Sequence, residues 1–239
     1  VWGLMTIQRQ AVAAPQFRVA ALEVRGLRLL TGDEVLQASG VEVGEALLDI
    51  DLDAVAQRLD SLVWVRSARV ERKPPDRLVV PLSERRRVAW LDWRGRSYGI
   101  DDDGVLLPPR RLATEGIEDL DLPVFQVPGL RDSMRVGDVV ADSTVHRLVT
   151  WWANVRAASP DLAAEISQVE PFDGDALRLR LVADNLEVRL PYAESSERLA
   201  TLDGVLQRVY GECPNPAYID LRFEGQAVVG HDIDRDPVG

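Results

Sequence analysis

Trp64-Val65-Arg66-Ser67-Ala68-Arg69-Val70-Glu71-Arg72, then Lys73-Pro74-Pro75-Asp76, then Arg77-Leu78-Val79-Val80-Pro81-Leu82, is the most informative run in the chain. Its first part sets Val65, Ser67, Arg69 and Glu71 against Arg66, Ala68, Val70 and Arg72, the two-residue alternation of a strand. Two successive prolines supply no N–H to a ladder and mark a turn. A second apolar run follows at once, so the segment predicts strand, turn, strand. Trp64 and Val70 are expected in the core.

Upstream of it, Phe17 to Gly26 carries Val19, Ala21, Leu22 and Val24 in partial alternation and ends on a glycine, which suits a strand entering a turn. Thr31 is placed to cap a short helix whose first turn holds Asp33 and Glu34, acids at the positive end of the helix dipole. Ser39-Gly40 stops that helix. Leu52, Val55, Ala56 and Leu59 then recur at i, i+3, i+4 and i+7, one face of a second helix with Asp51 as N-cap. The order strand, helix, helix, strand, strand predicts a three-stranded sheet with two helices on one face, a small α+β module.

Beyond Glu84 the pattern changes to short strands between turns: Val88 to Trp93, Ser97 to Ile100, Val105 to Leu107, then a proline-punctuated stretch. Val145, Leu148, Val149, Trp152 and Val155 form a helical stripe closed by Pro160. Ala176 to Val182 and Leu186 to Leu190 read as a hairpin, Glu197 to Tyr210 as a helix, and Ala217 to Val229 as one last strand. The chain therefore divides into residues 1–16 as a tail, 17–85 as the first domain, 86–230 as a β-rich domain with flanking helices, and 231–239 as a C-terminal tail.

Composition narrows the function. The formal charge of −11 on 239 residues repels a phosphate backbone or an anionic membrane surface. A single cysteine, Cys213, allows no intrachain disulfide and no cysteine-based zinc site. Val1-Trp-Gly-Leu-Met5 is a short apolar stub, compatible with the outer end of a membrane helix.

The residues that could carry chemistry read more simply as structure. Asp49, Asp51, Asp53 and Asp60 have calcium-loop spacing, but the sixth position, which needs the sharp turn of a glycine, is Ala54. They are capping acids. Asp101-Asp102-Asp103-Gly104 is an Asp-Gly turn. His146 and His231 are the only histidines, His146 on a helix surface, and nothing places either beside a nucleophile. Trp151-Trp152 puts one ring in the core and one at its rim, and Arg85-Arg86-Arg87 is a solvated or ion-paired run. No cofactor or metal is expected, and no catalysis.

In order along the chain, Phe17-Arg18-Val19 through Val24-Arg25-Gly26, Leu47-Leu48-Asp49-Ile50-Asp51-Leu52, Trp64 to Arg72, and Pro75-Asp76-Arg77-Leu78 resemble a POTRA domain of the FtsQ/DivIB cell-division family. Glu84-Arg85 with Val88-Ala89-Trp90 resembles that family's domain junction. Ile100-Asp101, Gly104-Val105-Leu106, Leu122-Pro123-Val124 and Tyr218-Ile219-Asp220-Leu221-Arg222-Phe223 resemble its β domain. POTRA modules also occur in accessory proteins of outer-membrane assembly and secretion, the alternative reading, and Asp220-Leu221-Arg222-Phe223 tips the choice toward division. The resemblance implies a single-pass inner-membrane protein with its POTRA and β domains outside the cytoplasm. It would act at the septum as a non-catalytic scaffold that binds FtsB-like and FtsL-like partners, with the POTRA domain implicated in recruitment and in contacts with other divisome members. It also implies a partner-binding site on the last strand and the turn before it: Arg222, Phe223, Gly225, Ala227, Val229, Gly230 and His231.

Overall fold

A computed structural model of the chain describes residues 17–109, 121–130, 134–193, 195–213 and 216–230. They fall into two compact units, divided between Arg86 and Arg87.

The first unit runs β1 (Ala21–Arg25), α1 (Gly32–Ser39), α2 (Leu52–Asp60), β2 (Val65–Ala68), β3 (Glu71–Lys73) and β4 (Arg77–Glu84). Local chemistry fixes both helices. Thr31 and Glu34 form a capping box: the Glu34 N–H donates to Thr31 Oγ1 at 3.3 Å, and Glu34 Oε2 accepts from the Thr31 N–H at 2.8 Å. Gly40, at φ 65°, ends α1 in the left-handed conformation. The Asp51 carboxylate accepts from the Asp53 and Ala54 N–H groups at 3.1 and 3.0 Å, the capping role the sequence predicts.

β4 is the centre of the sheet, parallel to β1 on one side and antiparallel to β2 and β3 on the other. The expected single strand from Trp64 to Arg72 is thus interrupted. A register shift between Val65 and Ser67 breaks the alternation, so the buried residues of β2 are Val65 and Ala68, three apart. Trp64 is buried as expected, but Val70 lies in the break between β2 and β3 and is only half-buried, which corrects its placement in the core.

The second unit contains β5 (Ala89–Trp93), β6 (Arg96–Ile100), β7 (Leu106–Leu107), β8 (Val124–Gln126), α3 (Ser143–Ala158), α4 (Pro160–Ala164), β9 (Ile166–Phe172), β10 (Ala176–Leu181), β11 (Glu187–Pro191), α5 (Ser195–Glu212), β12 (Tyr218–Asp220) and β13 (Val228–Gly230). Its strands form one sheet in the order β13-β12-β11-β10-β9-β8-β5-β6-β7, with β5/β8, β8/β9 and β11/β12 parallel. One face is apolar. Leu91, Phe125, Val169, Leu177, Leu179, Val188, Leu190 and Ile219 meet Leu148, Trp152 and Val155 of α3 and Leu199, Leu202 and Leu206 of α5. The fold is α+β, a POTRA-like unit followed by a β-rich unit with flanking helices.

Two expectations are corrected here, and a third, the end of α3 before Pro160, is met with an addition. Trp151 and Trp152 are both buried, each indole satisfied: Trp151 Nε1 donates to Ser195 Oγ and Trp152 Nε1 to the Val88 carbonyl, both at 2.8 Å. Pro160 closes α3 only by starting α4, where a first-turn proline loses no hydrogen bond. The run Ala217 to Val229 is two short antiparallel strands, β12 and β13, because Gly225 turns the chain at φ 67°.

Candidate partner interface

The C-terminal hairpin is held by a buried charge clamp. Asp220 is 3% exposed and takes hydrogen bonds from Arg222 Nε at 3.0 Å, Arg222 Nη2 at 2.8 Å and the Arg222 N–H at 3.0 Å. Arg222 Nη1 reaches on to Asp173 at 2.6 Å. Burial opposes ionisation of Asp220, but the hydrogen bonds and charge of Arg222, with Arg189 behind, hold its carboxyl below the usual aspartate range. The same bonds to Asp220 and Asp173 raise the Arg222 guanidinium above its ordinary value. Leu221 drops into the core between them. In Asp-Leu-Arg-Phe, then, two residues lock the turn, one anchors it, and Phe223 is left outside at 50% exposure.

Register assigns the faces of β12 and β13. Tyr218 pairs with Gly230, Ile219 with Val229 and Asp220 with Val228. Ile219 is in the core, so Val229 beside it is an inward residue and packs there. Val228 and Gly230 therefore belong to the outer face, and Val228 is 41% exposed. Gly225 and Ala227 lie exposed in the connection between the strands. His231 lies outside the described residues.

Of the residues singled out from sequence, the structure brings Arg222, Phe223, Gly225, Ala227, Val229 and Gly230 onto one hairpin. Their jobs differ. Arg222 is committed to Asp220 and Asp173, and the Val229 side chain faces the core. The sequence reading passed over Val228 and Tyr218. Pairing of residues 218 and 230 places them on the outer face, and it arises from a hairpin the sequence reading took for one strand.

β13 ends the sheet and among the described residues has a strand neighbour on one side only. The outer face beside it is a row of stacked cations and rings. Arg189 lies 3.9 Å from the Tyr218 centroid and 5.0 Å from that of Phe172, and Arg178 lies 4.2 Å from Phe172. Glu187 receives Arg178 at 3.2 Å and Arg189 at 2.6 Å. Among the described residues no group of three or more His, Cys, Asp or Glu is placed to hold a metal, and no helix is long and apolar enough to cross a membrane.

Comparison with known proteins bears on this arrangement. The POTRA domain of the FtsQ type matches residues 17–85, and the C-terminal domain of cell division protein FtsQ/DivIB matches residues 88–222. Cell division protein FtsQ of Myxococcus fulvus is 30% identical over 203 residues, 84% of this chain and 68% of the relative. That of Bradyrhizobium diazoefficiens is 30% identical over 216 residues, 89% of this chain but 56% of the relative. A solved structure, the major extracytoplasmic domain of the trans isomer of DivIB from Geobacillus stearothermophilus, aligns at 19% identity and TM-score 0.34, over 54% of this chain and 98% of that one. A POTRA unit joined to a β-rich unit defines the class, that of POTRA-bearing cell-division proteins. The chain belongs to the FtsQ/DivIB family. The family match ends at Arg222, so Phe223 to Gly230 rest on the geometry of the hairpin alone.

Proposed function

We propose that this protein is a non-catalytic divisome scaffold that holds FtsB-like and FtsL-like partners and so links early and late division proteins to control septal peptidoglycan synthesis. In this reading residues 1–16 are a membrane-proximal tail, 17–85 the POTRA domain, 86–230 the partner-holding β domain and 231–239 a C-terminal tail. A single-pass anchor in the inner membrane would place both domains on the extracytoplasmic side at the septum. Membership of a cell-division family supports the role, and no cofactor enters it.

The observation that carries the mechanism is that β13 has a strand neighbour on one side only among the described residues and is flanked by exposed Phe223 and Val228. A partner strand laid along β13 gains main-chain hydrogen bonds, and its alternate side chains meet the outer face. Phe223 is then an aromatic anchor at the turn. Its test is calorimetric titration with the extracytoplasmic segment of the FtsB-like partner. Phe223→Ala should weaken binding by about 2 kcal/mol, as aromatic anchors do, and Val228→Lys should block the edge, both with unchanged circular dichroism. Unchanged affinity in both folded variants would move the interface to the POTRA unit.

A further inference from the structure

Gly230 is a glycine for want of space. Its φ is not positive, so backbone conformation does not demand it. A Cβ built there would lie 2.0 Å from Tyr218 Cε1 and 2.2 Å from Cζ. Both distances are far inside van der Waals contact. The phenol end of Tyr218 therefore lies over β13 rather than over its own strand β12, in the place a Gly230 side chain would occupy.

The ring is held there from behind. The Arg189 guanidinium stacks 3.9 Å from its centroid and is itself tied to Glu187 at 2.6 Å and stacked on Phe172 at 5.0 Å. Phe172 of β9, Arg178 of β10, Arg189 of β11 and Tyr218 of β12 thus form a line of rings and cations that ends over the edge strand. Stacking fixes the ring before any partner arrives, which lowers the ordering cost of using it as a contact.

We infer that Tyr218 is a specificity-determining residue of the partner site: carried across Gly230 toward the open side of β13, it contacts the side chain that an added strand places beside Gly230 on the outer face. This rests on the strand-addition reading and deepens it. Every second residue of an added strand points to that face, so the ring reads one position of the partner. An aliphatic or aromatic side chain fits there. A lysine or arginine is disfavoured, because Arg189 already occupies the ring as its cation. The occupant is an extended segment of a partner protein with an apolar residue at that position.

The experiment is a double-mutant cycle on the whole chain, titrated with the extracytoplasmic segment of the FtsB-like partner. Tyr218→Phe should bind within about twofold of wild type and Tyr218→Ala about tenfold more weakly, the scale of an aromatic contact. Gly230→Ala should also weaken binding, by displacing the ring, and should cost nothing further in the Tyr218→Ala background, the non-additivity expected of residues that act through one contact. In the free protein the Gly230 Hα resonances should be shifted upfield by the ring and return to ordinary positions in Tyr218→Ala. The NMR spectrum of each variant reports its fold. Wild-type affinity in Tyr218→Ala alongside weakened Phe223→Ala overturns this inference and leaves strand addition standing. Equal losses from Gly230→Ala in both backgrounds overturn it as well. Wild-type affinity in every variant, Phe223→Ala and Val228→Lys included, overturns both.

Discussion

The two ends of the nine-stranded sheet are finished in opposite ways. At the β7 end the chain returns over its own edge: the Leu106 N–H donates to the Asp138 carbonyl at 2.9 Å, the Gly137 N–H to the Leu106 carbonyl at 2.7 Å, and the Val140 N–H to the Gly104 carbonyl at 2.9 Å. Val105 and Val139 are bridged beside them. At the β13 end the described residues add no such cover, and apolar side chains stand exposed at the rim. An uncovered edge invites pairing with another chain, so proteins close edges they do not use. Among the described residues one edge is covered and the other is not, the contrast on which the proposed partner site rests, and that contrast is open to direct tests.

The largest effect is expected from Arg222→Ala, which strands the buried Asp220 carboxylate. It should cost about 3 kcal/mol in urea unfolding, the range for breaking one side of a buried pair, with amide exchange accelerated first in β12 and β13. At the closed end, Asp101 accepts from the Val105 and Asp103 N–H groups at 2.8 and 3.0 Å and sets the turn into β7. Asp101→Ala should cost about 2 kcal/mol through unsatisfied backbone donors, and a variant that melts like wild type would remove this turn from the account of the closed edge. Gly137, at φ 97°, permits the covering turn, and Gly137→Ala should cost about 1–2 kcal/mol and raise light scattering by loosening the cover.

Acid should separate the two ends. Asp220 has a depressed folded pKa, so its contribution is fully present above the ordinary aspartate value of about 3.9 and is lost as pH falls through its lower folded value. Exchange monitored from pH 5 downward should show the β12–β13 hairpin loosening in wild type, and that pH dependence should vanish in Asp220→Asn. The smallest effect on stability belongs to Val228→Lys, within about 0.5 kcal/mol because the side chain faces solvent. A large loss of stability there would mean that Val228 is part of the packing and that the edge is less open than its exposure implies.

Much of this was legible in the sequence, for reasons that can be named residue by residue. Thr31 with Glu34, Asp51 and Gly40 fix local structure by bonds within a few residues, so both helices of the first unit read off the page, while the break between β2 and β3 that leaves Val70 half-buried did not. The stripes of α3 and α5 do as well. β9 did not, because Ile166 and Val169 are three apart and Pro171 interrupts the run; its burial comes from lying between β8 and β10. Both tryptophans of α3 are buried because distant partners satisfy their indoles: the start of α5 supplies the Ser195 hydroxyl to Trp151, 44 residues away, and the Val88 carbonyl accepts from Trp152, 64 residues away. At the site, Asp220, Leu221 and Arg222 were visible as a motif, but not as a clamp. Val229 and Val228 look alike in sequence, and only the pairing of Ile219 with Val229 shows which one turns inward.

In the first unit, β1 pairs with β4 alone among the described residues, and the Glu84 carboxylate takes the N–H groups of Arg28, Leu29 and Leu30, at 3.0, 2.6 and 3.0 Å, from up to 56 residues away. The first strand made thus waits for the last. A nascent chain that has emerged only as far as Asp76 has the residues of both helices but no ladder for β1, β2 or β3 and no acceptor for three backbone donors. Closure of such distant contacts comes late and all at once, since loop-closure entropy must be met before any of them forms. Nested truncations should therefore show no protease-resistant core until the chain extends through Glu84, and full resistance immediately beyond it.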